Sequence, residues 1–236
     1  MRLFIDTGSV AEVEEIAAWG VLSGATTNPS LLALEDGDPG EAIRRICELV
    51  SGPVSAEVVS DDPAEMIAQG QALARLHEQV IVKVPFGAAG LEATRALSGE
   101  GIGVNVTLVF SASQALLAAE AGATCISCFM GRLDDCSIDS GEVLGGIVEA
   151  LRPAGLPAQV LAASIRHPEH VVAAARLGCE IATVPGKVLR QMLEHPLTSA
   201  GIERFEADWR SRPELAGWLD GLVAGGAGPR AVASAR

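Results

Sequence analysis

The chain has 236 residues, 49% of them hydrophobic, and its 30 acidic against 17 basic residues give a net charge of −13. This length suits one domain of the larger kind with a sizeable core. The acidic excess argues against nucleic acid or an anionic membrane surface as a partner, because no basic stripe is available to meet phosphate groups. Lysine occurs only at Lys83 and Lys187, so a Lys kept at an apolar position calls for a chemical reason that Arg would not meet.

The amino-terminal segment and the cysteines indicate a cytoplasmic protein. The chain reaches Asp6 before any apolar stretch of useful length, so we expect no signal peptide. Residues 101–119 carry no charge, but their pattern changes from strand-like to helix-like near Phe110, which argues against a membrane span. Cys125 and Cys128 have the C-x-x-C spacing of redox and metal sites, yet they lie in a strand-like run without a second pair of ligands. We expect them to be core residues.

Short apolar runs alternate with helical periodicity along the chain. The eight predicted strands cover residues 3–6, 24–27, 54–59, 80–84, 103–108, 124–129, 159–163 and 180–184. They are rich in Val and Ile and mostly lack polar alternation, as in strands buried on both faces of a parallel sheet. Ser9 is a candidate cap for the first helix, and Asp62 followed by Pro63 marks the start of a later one.

Strand and helix alternate eight times with a repeat of about 25 residues, which predicts an α/β fold with right-handed crossovers. We expect an eight-stranded parallel β/α (TIM) barrel with an extra C-terminal helix. A doubly wound open sheet is the alternative, but no Gly-rich phosphate-binding fingerprint follows the first strand. The predicted catalytic domain covers residues 1–218, including a helix at 202–209, and residues 219–236 are expected to form a disordered tail.

In a barrel of this kind, the active site forms at the carboxyl ends of the strands. Seven of the eight predicted strands carry polar residues at or just after that end: Asp6, Thr26, Thr27, Asn28, Glu57, Lys83, Asn105, Thr107, Ser127, Ser164 and Arg166. Glu57 and Lys83 stand inside apolar runs, where an unpaired charge is costly. A purely structural ion pair is one explanation for the two together.

Lys83 also has a chemical explanation. Side-chain alternation places it on the same side as Ile81 and Pro85, and in a barrel one of the two sides is the interior. An amine there loses its solvation, which favours the neutral form, and a neutral amine can attack a carbonyl to form a Schiff base. Arg could not do this, because it stays protonated. Lys187 begins a helix after the last strand, and we expect it on the solvated surface.

Schiff-base chemistry also needs groups that move protons near the nitrogen and the substrate hydroxyls. Asp6 and Glu57 are the carboxylates available at the strand ends. Thr107 follows Asn105 on the fifth strand, where its hydroxyl could hold a water between the two carboxylates. The strand ends therefore supply an amine, two acid–base groups and a hydroxyl.

The segment after the seventh strand offers an anchor for the substrate. Ser164 and Arg166 open a helix there, and their hydroxyl, guanidinium and free backbone N–H groups suit a phosphate. Phosphate sites after the seventh and eighth strands recur in this architecture. Arg132 follows the sixth strand, and it either reaches the same phosphate or forms a loop salt bridge to Asp134 or Asp135.

Five segments resemble the transaldolase family. They are Phe4-Ile5-Asp6-Thr7, Ala25-Thr26-Thr27-Asn28-Pro29-Ser30, Ile81-Val82-Lys83-Val84-Pro85, Asn105-Val106-Thr107-Leu108 and Ala163-Ser164-Ile165-Arg166. The resemblance runs in order from residue 3 to about residue 210, and the second segment together with the third is highly specific. The short length resembles the small subfamily that also contains the fructose-6-phosphate aldolases.

The resemblance implies an enzyme that works without a metal or organic cofactor, with Lys83 as the Schiff-base lysine. The other implied site residues form three groups, which hold a catalytic water (Asp6, Glu57 and Thr107), the dihydroxyacetone part of the substrate (Asn28, Asn105 and Ser127, with Thr26 nearby) and its phosphate (Ser164, Arg166 and Arg132). Phosphorylated sugars are the implied substrates. A ring-like homo-oligomer, such as a decamer, is the implied assembly.

Two positions favour transfer over simple cleavage. The aldolase branch resembles a site with Gln where Glu57 stands and Tyr where Phe129 stands, whereas this chain has no Tyr. We therefore expect a transaldolase that moves a dihydroxyacetone unit from sedoheptulose 7-phosphate or fructose 6-phosphate to an aldose phosphate. The alternatives are an aldolase that releases free dihydroxyacetone, a transaldolase for an unusual sugar, and a catalytically silent scaffold. Cys128 stands beside Ser127 where relatives usually carry Pro, which bears on substrate preference.

Overall fold

The structure is a computed structural model that describes residues 1–225. Its eight strands all run parallel. Their bounds are β1 Arg2–Asp6, β2 Ala25–Thr26, β3 Val54–Glu57, β4 Val80–Pro85, β5 Val104–Val109, β6 Cys125–Phe129, β7 Gln159–Ala163 and β8 Ile181–Val184. Each strand pairs with the next in sequence, and β8 pairs with β1, so the sheet closes into a barrel. The predicted parallel barrel and all eight predicted strands are confirmed, and the open sheet is wrong.

Helices connect the strands and follow the last one. Their bounds are α1 Val10–Ala17, α2 Pro29–Leu32, α3 Pro39–Leu49, α4 Pro63–Ala74, α5 Ala88–Gly99, α6 Ala112–Glu120, α7 Met130–Asp135, α8 Ser140–Ala154, α9 Pro168–Arg176, α10 Gly186–Gln191, α11 Pro196–Arg210 and α12 Pro213–Ala224. Asp62 caps α4 as predicted, since its side chain accepts a hydrogen bond from the Glu65 N–H at 2.9 Å. Ser9 occupies the N-cap position of α1 as predicted, but its hydroxyl makes no capping bond, and its N–H donates to Thr7 Oγ1.

The side chains of each strand divide between two parts of the core. On β4, Val82 and Val84 point outward and pack between the sheet and the helices. Ile81 alternates with them and joins an apolar cluster in the barrel interior. That cluster includes Phe4, Cys125, Leu161 and Ile181, which lie at the start or middle of their strands. The interior positions nearest the carboxyl ends are therefore left for the polar side chains.

The C-x-x-C spacing does not build a redox or metal pair. Cys125 packs in the barrel interior and Cys128 in the outer layer, on opposite sides of β6. Burial raises the pKa of the Cys125 thiol to about 11 and that of Cys128 to about 12, so both stay protonated at neutral pH. Both are core residues, as predicted. Among residues 1–225, no group of three or more His, Cys, Asp or Glu side chains could hold a metal ion.

The chain divides into two units, one ending at Gln191 and the other beginning at Met192. The second unit contains α11 and α12, where the sequence predicted a single extra helix. Because α12 continues to Ala224, residues 219–224 are helical rather than part of a tail. The remaining tail prediction, for 226–236, lies outside the described residues. No helix within residues 1–225 is both long and apolar enough to cross a membrane.

Gly90 tests how closely the helices pack on the sheet. It lies in the first turn of α5, where a Cβ would come within 2.0 Å of the Pro85 carbonyl oxygen. We expect Gly90→Ala to destabilise the fold by roughly 1–3 kcal/mol, because the helix must move away from the strand. The matched control is Gly146→Ala in α8, where nothing lies within 4 Å of the added methyl group.

The control should stabilise the fold by roughly 0.5–1 kcal/mol, because Ala is the better helix former. Urea unfolding of both variants and of the wild type measures the two signs. If Gly90→Ala were as stable as Gly146→Ala, the close approach of α5 to β4 would be contradicted.

Candidate active site

A cavity of about 250 Å³ opens at the carboxyl ends of the strands. Nine of the twelve predicted site residues line it: Asp6, Thr26, Asn28, Lys83, Ser127, Phe129, Arg132, Ser164 and Arg166. Glu57, Asn105 and Thr107 do not line the cavity. Glu57 contacts Lys83 and Asn105 bonds to Ser127, so these two stand directly behind lining residues.

Lys83 occupies the interior side of β4 and is only 4% exposed. Its Nζ lies 3.0 Å from Glu57 Oε2 and donates a hydrogen bond to the Thr27 carbonyl oxygen at 3.2 Å. The register of β3 and β4 pairs Glu57 directly with Lys83, which brings both side chains to one level of the barrel. The ion pair considered from the sequence is present. The same contact places a carboxylate within proton-transfer distance of the amine.

Asp6 is the carboxylate that lines the cavity itself, and it accepts the last hydrogen bond in a chain of hydroxyl contacts. Thr26 Oγ1 donates to Asp6 Oδ1 at 2.6 Å, and the Thr26 and Thr183 hydroxyls share a hydrogen bond of 2.6 Å. Burial raises the pKa of Asp6, while the Thr26 hydrogen bond and the charge of Lys83 oppose the rise. Asp6 therefore holds a proton at higher pH than an ordinary Asp, which suits an acid–base group.

Asn105 on β5 is held in place by hydroxyls on β3 and β6. Its Nδ2 donates to Ser55 Oγ at 3.0 Å, and Ser127 Oγ donates to its Oδ1 at 2.7 Å. All three residues are buried. The amide orientation is fixed because both of its ends are bonded. Sequence analysis missed Ser55, although it stands two residues before Glu57 and therefore shares the interior side of β3.

Two polar residues of the cavity lining, Thr183 and Lys187, were also not predicted. Thr183 stands two residues after Ile181 on β8 and shares its interior side, on the one strand for which the sequence predicted no polar end residue. Lys187 was expected on the solvated surface; it is exposed, but it also lines the cavity because α10 begins immediately after β8. The position of Thr183 could have been found from the period of two, whereas that of Lys187 depends on where the helix starts.

Thr107 combines complete burial with an unused hydroxyl. Its Oγ1 is buried and has no hydrogen-bond partner among the described residues. The next residue, Leu108, has a φ of 59°, and the β5–β6 register shifts between Val106 and Val109. A buried hydroxyl without a partner and a left-handed non-glycine residue are both unfavourable. Their coincidence beside Asn105 is typical of a functional site rather than of a structural strand.

Asn28 and Phe129 line the cavity from the starts of two helices. Asn28 caps α2 by accepting a hydrogen bond from the Leu31 N–H at 2.9 Å, which leaves its amide N–H groups as donors for a ligand. The centre of the Phe129 ring lies 6.0 Å from Lys83 Nζ and 5.1 Å from Arg132 Cζ. The ring thus lies within cation–π distance of two basic side chains.

The cationic side of the cavity differs from the sequence prediction in one respect. No ion pair joins Arg132 to Asp134 or Asp135 among the described residues, so the loop salt bridge proposed for Arg132 is wrong. Arg166 instead pairs with Asp135 at 2.8 Å, and both side chains are more than half exposed. Ser164 lines the cavity beside Arg166. The three groups expected at a phosphate therefore share one side of the cavity.

Comparisons with known proteins agree with the resemblance seen in the sequence. Residues 3–216 match the family model described as Transaldolase/Fructose-6-phosphate aldolase. A probable transaldolase of Thermus thermophilus is 54% identical over 218 residues, covering 89% of this chain and 98% of the relative. A probable transaldolase of Myxococcus xanthus is 51% identical over 217 residues, covering 92% and 97%. Probable transaldolase 1 of Listeria monocytogenes is 50% identical over 211 residues, covering 89% and 99%. With its residues matched over almost the whole length, the chain belongs to the transaldolase/fructose-6-phosphate aldolase family.

Proposed function

We propose that the protein is a transaldolase, which moves a dihydroxyacetone unit from a ketose phosphate to an aldose phosphate. Sedoheptulose 7-phosphate and fructose 6-phosphate are the donors. The proposal is carried by Lys83, a buried amine that lines the cavity and lies 3.0 Å from the Glu57 carboxylate. The relatives named probable transaldolase, at 50–54% identity, support the same activity.

In the first half of the reaction, Lys83 Nζ attacks the ketone carbon and forms a carbinolamine. Glu57 exchanges the proton of the nitrogen and helps the hydroxyl leave as water, which gives an iminium ion. Asp6 then takes the proton of the C4 hydroxyl, and the C3–C4 bond breaks. The iminium nitrogen receives the electron pair, so the aldose phosphate leaves and a three-carbon enamine remains on Lys83.

In the second half, the enamine attacks the aldehyde of another aldose phosphate, and the steps run in reverse. The iminium ion is the electron sink throughout, so this route needs no metal or organic cofactor. We propose that Thr107 holds the water that carries protons between Asp6 and Glu57, which would use its unpartnered hydroxyl. The fixed Asn105 amide and the Ser127 hydroxyl hold the hydroxyls of the three-carbon unit.

Arg166, Arg132 and Ser164 would bind the phosphate. Arg166 must then exchange Asp135 for the phosphate. Their ion pair is exposed, so breaking it costs little. The Phe129 ring lies near both Arg132 and Lys83, so it would give the substrate an apolar surface beside the reacting amine and the phosphate-binding cations.

We also propose that the enzyme is a homo-oligomer in the cytoplasm. Support for self-association comes from α11, which exposes Leu197, Ile202 and Phe205. An apolar patch of this kind is typical of a protein–protein interface. The five cysteines are all free, and four of them are buried, as expected for a chain that folds under reducing conditions. Size-exclusion chromatography with light scattering measures the assembly.

Reduction with borohydride tests the assignment of Lys83. The wild type incubated with fructose 6-phosphate should gain the mass of the bound three-carbon or six-carbon unit, and peptide mapping should place it on Lys83. Lys83→Ala should abolish the adduct and lower transfer by at least ~10³-fold, because the covalent route is lost. Lys187→Arg is the matched control, since it removes the other lysine and keeps a cation. An adduct retained in Lys83→Ala would disprove the mechanism.

The choice between transfer and simple cleavage can be made by product analysis. With fructose 6-phosphate alone, a transaldolase should stop after about one equivalent of aldose phosphate per subunit, because the enamine waits for an acceptor. Addition of an aldose phosphate should restart turnover. Rapid release of free dihydroxyacetone without acceptor would instead identify the fructose-6-phosphate aldolase activity. Nuclear magnetic resonance of the reaction mixture distinguishes the two outcomes.

Asp6→Asn is expected to change stability and activity in opposite directions. Since folding raises the pKa of Asp6, the folded state binds the proton more tightly than the unfolded state. Stability is therefore lost as the pH rises from the ordinary value of 3.8 through the folded-state pKa. Above that window, Asp6→Asn should raise the melting temperature and abolish turnover, because Asn still accepts from Thr26 but takes no proton.

Thermal unfolding at neutral pH and at acidic pH measures this difference, which should disappear on the acidic side of the window. Asp36→Asn at an exposed position is the control. A melting temperature that Asp6→Asn leaves unchanged or lowers at neutral pH would show that burial of the carboxylate is not the destabilising term.

A further inference from the structure

The loop after β7 has a backbone that its surroundings must impose. Ser164 has a φ of 56°, in the left-handed region that a non-glycine residue rarely adopts. Its carbonyl oxygen accepts a hydrogen bond from the Gly131 N–H at 3.0 Å. A Cβ at Gly131 would lie 2.3 Å from that oxygen and 2.4 Å from Arg166 Nε. Helix α7 therefore lies directly against the loop that carries Ser164 and Arg166.

His170 connects the same loop to α7 through its side chain. The residue lies in α9 and is 7% exposed. Its Nδ1 accepts a hydrogen bond from the Arg166 N–H at 3.3 Å, and its Nε2 lies 2.9 Å from Asp134 Oδ2. The neutral tautomer with the proton on Nε2 satisfies both contacts. Burial and the neighbouring His167 lower the pKa of His170, which keeps the ring neutral.

Asp134 is in turn fixed by the start of α8. It accepts hydrogen bonds from the Ser140 N–H at 3.2 Å and from Ser140 Oγ at 3.1 Å. Asp134 and His170 thus join α7, α8 and the loop after β7. Neither residue lines the cavity, so any effect on the reaction must pass through Arg166 and Ser164.

We propose that Asp134 and His170 are positioning residues that hold the phosphate-binding loop and thereby set the preference for phosphorylated over unphosphorylated ketoses. The inference rests on the proposed function, because that function assigns Ser164 and Arg166 to the phosphate. Without the acceptor at Nδ1, the Arg166 N–H loses its partner and the strained turn at Ser164 can relax. Lys83 stands on β4, so imine formation should not depend on the pair.

The borohydride trap tests this with two ketones, fructose 6-phosphate and dihydroxyacetone. Both form an imine with the same lysine, and only the first carries a phosphate. His170→Gln keeps a donor toward Asp134 but offers no acceptor to the Arg166 N–H, whereas the side-chain oxygen of His170→Asn takes the place of Nδ1. His77→Gln is the control, because His77 Nδ1 accepts the Gln79 N–H before the amino end of β4.

We expect the half-saturating concentration of fructose 6-phosphate to rise roughly tenfold in His170→Gln, as for the loss of one buried hydrogen bond. That of dihydroxyacetone should change less than about twofold. His170→Asn should recover most of the difference, and His77→Gln should match the wild type. If His170→Gln does not fold, Asp134→Ala makes the same test from the other end of the pair, with the same rise expected.

Equal increases for both ketones would overturn the inference, because they would indicate general structural damage. An unchanged value for fructose 6-phosphate in a folded variant would overturn it as well. These outcomes are distinct from failure of the proposed function. If the wild type traps neither ketone, the proposed function fails and this inference fails with it.

Discussion

The rest of the site depends on the contact between Lys83 Nζ and Glu57 Oε2 at 3.0 Å. Both side chains are largely removed from water, and two buried charges are tolerated only where their geometry offsets the lost solvation. The register of β3 and β4 supplies that geometry, since it places the two residues opposite one another. Closure of the barrel fixes the register. The position of the amine to which we assign the covalent chemistry is therefore a consequence of the sheet, rather than of a flexible loop.

On each strand, the outward side chains stabilise the fold, and the inward side chains near the carboxyl end form the site. The outward side chains Val82 and Val84 are completely buried against the helices, and burial of such groups is the main favourable term in folding. The inward positions near the carboxyl ends are unfavourable in comparison. Thr107 keeps a hydroxyl without a partner, and Asp6 has a raised pKa because its carboxylate is buried. Burial of the apolar layers offsets the unfavourable free energy of the polar side chains at the carboxyl end of the barrel.

The features that follow from local pattern were predictable from the sequence, and those that depend on distant contacts were not. The strands and the position of Lys83 follow from a period of two and from the rarity of Lys. The partner of Arg166 does not: Asp135 stands 31 residues earlier. Sequence proximity suggested a salt bridge from Arg132 to Asp134 or Asp135 as one of two alternatives, and that alternative is wrong. Because α7 turns its residues in different directions, Arg132 contacts the Phe129 ring instead.

A transfer reaction requires one rigid part of the cavity, which holds the covalent intermediate, and a second part that binds and releases the phosphate. In the proposed cycle, Lys83 stays bonded to the three-carbon unit while one aldose phosphate leaves and another enters. The amine side can therefore be buried in the strands, whereas the phosphate side must bind and release a charged group in every turnover. Arg132 and Arg166 are exposed, so their exchange with water carries little desolvation cost. In the proposed site, the fixed backbone at Ser164 holds the exposed guanidinium of Arg166 in one place, so the phosphate would be oriented without burial of the charge.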